Sequence, residues 1–367
     1  IINSCLGLRP GEENNRRISM AADAIHIVNT AGYFRIDNCD LSFNGDDIIN
    51  VHDDTLIIDK ISDDRTELIG WVTATFVNAG DKVKFRNSQM GEFTDYEATV
   101  TYISRDANTN ITTMRFAEPL PADIVAGCYA YRSNFTSANY VITNNYIHET
   151  KGRAVILNAD NALFANNYIY RTASESVDVR AVITTGRWTG GVGTNNVYIL
   201  NNTFDECNFG GKGPVIDVGV SIDGNSPNVD VMSNVHIENN NFISCIHNDT
   251  QNAMNIKNVA SNELTITGNT LIDSGIIDTN GILPSSQITA NNSVSAQPHT
   301  HNFVPVAGTD MHKCTGCPAE RYHSFVISGV RVASVASCTL CGAANPSYVA
   351  PVTPTPSPTP SPTPTPS

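Results

Sequence analysis

One eight-residue template recurs seven times, and it limits the possible folds more than any other feature of the chain. The segments are FRIDNCDL (34–41), YVITNNYI (140–147), ALFANNYI (162–169), VYILNNTF (197–204), VHIENNNF (235–242), LTITGNTL (264–271) and SQITANNS (286–293). In each, Asn follows an apolar residue by three positions, usually with another apolar residue two further on. These Asn are Asn145, Asn167, Asn202, Asn240, Asn269 and Asn291, and Cys39 takes the place in the first segment. Their spacings are 22, 35, 38, 29 and 22. A fixed minimum with variable excess is what a β-solenoid produces, because its strands repeat while its corner loops vary. Alternating apolar residues point inward. The Asn sits at a turn, where left-handed geometry is tolerated, and stacked coils link such side chains into a hydrogen-bonded ladder. A β-sandwich with Asn-rich turns rarely repeats one template so often. The expected fold is all-β: a right-handed parallel β-helix.

A second strand set lies between these segments: DAIHIVN (23–29), DDIINVH (46–52), GRAVILN (152–158), ESVDVRA (175–181), PVIDVGV (214–220) and AMNIKN (253–258). It reads as a second sheet. The repeat is interrupted at 55–133 by short, β-branched, turn-punctuated runs such as YEATVTYISRD and ITTMRFAEPL, which predict a small inserted antiparallel β-barrel. Standing directly after the DD strand, it is either a wall of whatever site DD forms or an inert decoration. Residues 296–350 cluster His and Cys, and 351–367 is a Pro/Thr/Ser tract typical of extended linkers in extracellular proteins. The expected division is therefore 1–54 and 134–295 as coils, 55–133 as barrel, 296–350 as a small module and 351–367 as linker. The chain opens on Ile1 and closes on the Pro/Thr tract, so both ends read as cut or processed, with further modules beyond the linker.

The formal net charge of −14 argues against nucleic acid, anionic lipid and polyanionic glycans as partners. No run of 18 apolar residues occurs, so no membrane insertion is expected. A neutral substrate fits better. Aligning the second strand set on Ile25, Ile49, Val155 and Val177 stacks Asp23 on Asp47, with Arg153 and Glu175 at the same place in later coils. Neighbouring coils lie ~4.8 Å apart, and Asp46 leaves the corner in another direction. Three crowded carboxylates repel one another and raise at least one pKa. That suits glycoside hydrolysis, in which one carboxyl protonates the leaving oxygen and others activate water. A Ca²⁺ site and plain turn residues are the competing readings.

The run CDLSFNGDDIINVHDD (39–54), with AADAIHIVN (21–29) before it, resembles glycoside hydrolase family 110. KGRAVI (151–156) and the barrel-like insertion are also similar to that family, and the likeness covers roughly 20–290. The resemblance implies a secreted or cell-surface bacterial, inverting exo-α-1,3-galactosidase, of the type that removes blood-group B galactose, without catalytic metal or cofactor. It implies Asp23, Asp46 and Asp47 as the catalytic set, and N-terminal coils missing from this chain. The same acid spacing resembles the polygalacturonases of glycoside hydrolase family 28. By that analogy Asp46 is the acid, while Asp23 and Asp47 hold the water. If so, Asp46 should lie ~6.5–9.5 Å from at least one of the other two.

His52, Arg153, Lys151 and Glu175 are candidate substrate-binding residues. Arg153 either binds sugar hydroxyls, depresses the pKa of Asp47 or pairs with Glu175. Asn50 is expected inward or at the edge, and His148 is a weaker candidate. Nine cysteines are present. Cys207 and Cys245 each follow a ladder Asn by five residues, so they stack either as a disulfide or as free thiols. Cys314-x₂-Cys317 and Cys338-x₂-Cys341 have zinc-ribbon spacing and predict one structural zinc, with two disulfides as the alternative. Through HTHNF (299–303), HSF (323–325) and CTLCG (338–342) the stretch resembles His/Cys modules on surface proteins of gut Gram-positive bacteria. Two other functions compete. A pectin-type hydrolase lacks support, since neither G-H-G nor R-x-K occurs. A non-catalytic β-helical adhesin would gain nothing from crowded carboxylates.

Overall fold

The computed structural model describes residues 2–3, 18–93, 96–134, 136–245, 252–295, 297, 299–323, 326–327, 330–331 and 336–347. The Pro/Thr/Ser tract 351–367 lies outside the described residues. Contacts divide the chain into two units, Ile1–Thr300 with Cys317–Ala319, and His301–Gly316 with Glu320–Ser367. Among the described residues no helix is long and apolar enough to cross a membrane.

The first unit is nearly all β. Three parallel sheets are visited in fixed rotation. One turn runs through Tyr140–Thr143, Tyr146–Thr150 and Val155–Asn158, and the next through Ala162–Ala165, Tyr168–Thr172 and Val177–Thr184. Neighbours pair in parallel as Tyr140↔Ala162, Tyr146↔Tyr168 and Val155↔Val177. This rotation is consistent with a parallel β-helix. Each of the first six template segments, however, is two strands in two sheets, with the ladder residue and the one before it at the corner between them. The reason is conformational. The residue before each ladder position takes the left-handed region, with φ of 57° at Asn144, Asn166 at 57°, Asn201 at 56°, Asn239 at 56° and Gly268 at 70°. Asn tolerates that region, and it turns the chain out of the first sheet into the second.

The following Asn makes the ladder. Its side-chain amide donates to the next coil's Asn oxygen, from Asn145 to Asn167 at 2.9 Å and from Asn167 to Asn202, Asn202 to Asn240 and Asn240 to Asn269 at 3.0 Å each. The same oxygens accept the backbone N–H of the preceding Asn, as at 2.9 Å from Asn167 to Asn202. At one end Asn145 accepts from the Cys39 amide at 3.0 Å. At the other, Asn269 donates to Asn292, not to the expected Asn291. Segment 286–293 is not a strand. Residues Ser285–Asn291 form an α-helix after Pro284, burying Ile288. This helix packs on the last first-sheet strand, Leu264–Thr267, and leaves Asn292 at the rung.

Inside, Ile36, Ile142, Phe164, Ile199, Ile237 and Ile266 stack in register along the first sheet, all at most 3% exposed. Cys207 and Cys245 are buried, their thiols bonding the carbonyls of Ile169 and Phe204 at 3.4 Å each. Six antiparallel strands between Thr55 and Arg132 close into a barrel with its own core, including Leu56, Phe76, Phe85 and Met114.

Candidate active site

The third sheet carries the acids. Its strands Ile25–Val28, Ile49–His52 and Val155–Asn158 pair as Ile25↔Ile49 and Val155↔Ile49. Asp23 and Asp47 therefore sit on adjacent corners, two residues before the paired isoleucines, and Arg153 and Glu175 continue the column. One carboxylate oxygen each from Asp23, Asp46 and Asp47 lies within 4.8 Å of the others.

The N-G-D-D run is shaped by close backbone approach. Asn44 is buried, and its amide donates to the carbonyls of Ala22 at 2.9 Å and Asp47 at 2.7 Å, tying the two acid corners together. A Cβ on Gly45 would stand 2.8 Å from the Met20 carbonyl oxygen. On the next coil, a Cβ on Gly152 would stand 2.5 Å from the Asp46 carbonyl carbon. Glycine at both places lets three chain segments meet beneath the carboxylates.

The three acids have unlike surroundings. Asp46 is exposed and Asp23 half-buried. Asp47 is 5% exposed. Burial pushes its pKa up to about 6, against the opposing pull of Arg153 and with help from Asp23 and Asp46. The Arg153 amide donates to Asp47 Oδ1 at 2.7 Å, and its guanidinium lies 3.3 Å from Oδ2. Asp23 accepts from Asn50 Nδ2 at 2.9 Å and has His26 Nδ1 at 3.7 Å. Asn50 thus faces the acids rather than the interior.

The other candidates fall less evenly. Arg153 touches Asp47 and also Glu175 at 3.6 Å and Asp178 at 2.9 Å, so it is an ion-pair hub. Glu175 is buried in that network. His52 stands at the far end of its strand. Its Nε2 lies 2.9 Å from His26 Nε2, linking it to Asp23 only through His26. Lys151 is exposed, and its amide binds the Asn44 carbonyl at 3.0 Å. His148 is buried, with Asp40 at 2.9 Å and Glu149 at 3.2 Å. Burial works against its charge, yet the two carboxylates raise its pKa overall. Single residues carried no signal for His26, Asp178, Arg180 or Asp217. Their signal was columnar: Asp178 and Asp217 share a register, and Arg180 bridges them at 2.9 and 2.8 Å.

The barrel departs at Thr55, beyond the opposite end of the DD strand from the acids. A cavity of about 260 Å³ lies at that junction, lined by residues such as Asp53, Arg86, Tyr131 and Asp160, and none of the three acids lines it. Of the cysteines expected to share a zinc, Cys338 and Cys341 converge with His312 and His323, and Cys314 and Cys317 do not join that group. The histidines are brought in by strand pairing, which the Cys-x₂-Cys spacing does not report.

No family model matches the chain. It is similar to alpha-1,3-galactosidase A of Shewanella woodyi, with 23% identity over 218 residues, covering 58% of this chain and 35% of that protein. The match thus spans about a third of the relative's length.

Proposed function

We propose that this chain is the catalytic part of a glycoside hydrolase that removes terminal α-1,3-linked galactose, built on a right-handed parallel β-helix and exported by a bacterium. The observation that carries this reading is the convergence of Asp23, Asp46 and Asp47 within 4.8 Å, with Asp47 raised to about 6. The distant likeness to an alpha-1,3-galactosidase supports the sugar and linkage, and the Pro/Thr/Ser tract supports export. Asp46, exposed, donates a proton to the glycosidic oxygen. Asp47 is mostly ionised at pH 7 and, with its raised pKa, is a stronger base than an ordinary carboxylate. It takes the proton of the attacking water together with Asp23, which Asn50 and His26 orient.

Inversion rests on the resemblance. Arg153 and Arg180 are already engaged by Asp47, Glu175, Asp178 and Asp217, which disfavours a galacturonate substrate needing free cations. The test is hydrolysis of terminal α-galactosides, with the anomer of released galactose read by NMR. Asp46→Asn should abolish turnover of natural galactosides and partly spare substrates with good leaving groups, which need little protonation. Full activity on both after this change removes Asp46 as the acid. No release from any α-galactoside overturns the function.

A further inference from the structure

The second unit holds four metal-type ligands that the Cys-x₂-Cys spacing alone does not bring together. His312 lies on Met311–Cys314, the central strand of a three-stranded antiparallel sheet, paired with Pro305 on one side and Arg321 on the other. His323 directly follows the strand Glu320–Tyr322, and its amide bonds the Asp310 carbonyl at 2.9 Å. Cys338 and Cys341 sit on a tight turn. The Cys338 amide donates to the Ala343 carbonyl at 2.8 Å, the Gly342 amide returns to the Cys338 carbonyl at 2.9 Å, and Ser337 bridges Ala344. Gly342, at φ 73°, supplies the left-handed residue that this turn needs.

The geometry points to one tetrahedral zinc ion held by His312, His323, Cys338 and Cys341. One ligand atom from each lies within 4.8 Å of the others. His312 Nδ1 is 3.4 Å from Cys338 Sγ, and His323 Nδ1 is 3.3 Å from Cys341 Sγ. With bonds of ~2.3 Å to sulfur and ~2.0–2.1 Å to nitrogen, a tetrahedral ion sets such atoms about 3.5–3.6 Å apart. A thiol–imidazole hydrogen bond would explain either pair, but not the convergence of both pairs on one point. His312, His323 and Cys338 are each at most 4% exposed, so three donors are already withdrawn from water. The Cys₂His₂ donor set with borderline-soft ligands suits zinc over calcium or magnesium. The site does not depend on the hydrolase reading.

The test is X-ray absorption at the zinc edge on the full chain carrying Cys314→Ser and Cys317→Ser, loaded with zinc and desalted. One zinc per chain should remain, with two sulfur neighbours at ~2.3 Å and two nitrogens at ~2.0–2.1 Å. Adding His312→Ala and His323→Ala should reduce retained zinc at least tenfold. No zinc in the first variant, or undiminished zinc in the second, overturns the assignment. If the serine variant does not fold, the unaltered chain purified under reducing conditions decides. In it, His312→Ala with His323→Ala should lower the retained zinc by one ion per chain and open Cys338 and Cys341 to thiol labelling, which supports the site. A four-sulfur shell, or protein in which chelation exposes no new thiols at Cys338 and Cys341, rejects it.

Discussion

Replacing Asp47 with Asn should destroy turnover while making the protein more stable at neutral pH. Asp47 is almost wholly buried, and its pKa stands near 6 rather than the ordinary 3.8. The shift is therefore about two units. At ~1.36 kcal/mol per unit, holding this carboxylate ionised costs about 3 kcal/mol of folding stability. The sign follows from proton binding. Between the two values the folded chain keeps a proton that the unfolded chain has released, so this contribution is fully favourable below about 3.8. It is lost as pH rises through about 6. Asn keeps the shape and an oxygen for the Arg153 amide, but carries no charge. Urea unfolding at pH 7 should show Asp47→Asn more stable than the unaltered protein by up to about 3 kcal/mol, the two converging near pH 4. Equal or lower stability at pH 7, with the same gap at pH 4, would refute the claim that burial strains this carboxylate.

Three further outcomes follow from the same geometry. With Asp47 as base, kcat/KM for an α-galactoside should fall as pH drops below about 6, because that ratio reports the free enzyme; a fall above 6 instead would make Asp47 the acid. Gly152→Ala should cost on the order of 100-fold in turnover with little change in circular dichroism, since its Cβ would meet the Asp46 carbonyl carbon at 2.5 Å and displace the acid pair. Asn202→Ala should destabilise the protein by about 3–5 kcal/mol in chemical unfolding, since the Asn202 side chain bonds the backbone amide and Nδ2 of Asn167, the Phe164 carbonyl and Asn240 Oδ1, all of them buried.

The strand column was legible because it rests on period and alternation. Ile25, Ile49, Val155 and Val177 do pair across coils, and the neighbourhood of Asp23 and Asp47 follows from that register without further information. The corners were less legible. Asn-Asn pairs divide two tasks, left-handed backbone and ladder hydrogen bonds, that look alike in sequence, so a template that is two strands reads as one. Segment 286–293 carries the template yet forms a helix, and the sequence pattern does not report where the first sheet stops. The Cys₂His₂ group was half legible. Cys338 and Cys341 announce themselves by spacing, whereas His312 enters through a sheet register.

The placement of the acids explains why their chemistry is costly locally and tolerable globally. Asp47 is buried because Asn44, Gly45 and Gly152 draw three chain segments together beneath it, and the same approach crowds Asp23 and Asp46 against it. A single coil would relax such a strain by opening its corner. Here the corner is fixed from both sides. The Asp47 carbonyl accepts from Ala24 at 3.1 Å, and the Ile48 and Ile49 amides donate to Arg153 and Ala154 at 3.0 and 3.1 Å. The apolar column and Asn ladder of later coils hold that register in turn. Charge that burial would otherwise expel is thus kept ionised by Arg153, itself anchored on Asp178 at 2.9 Å. A carboxylate held in this way remains both desolvated and basic, which is the condition a water-activating base requires.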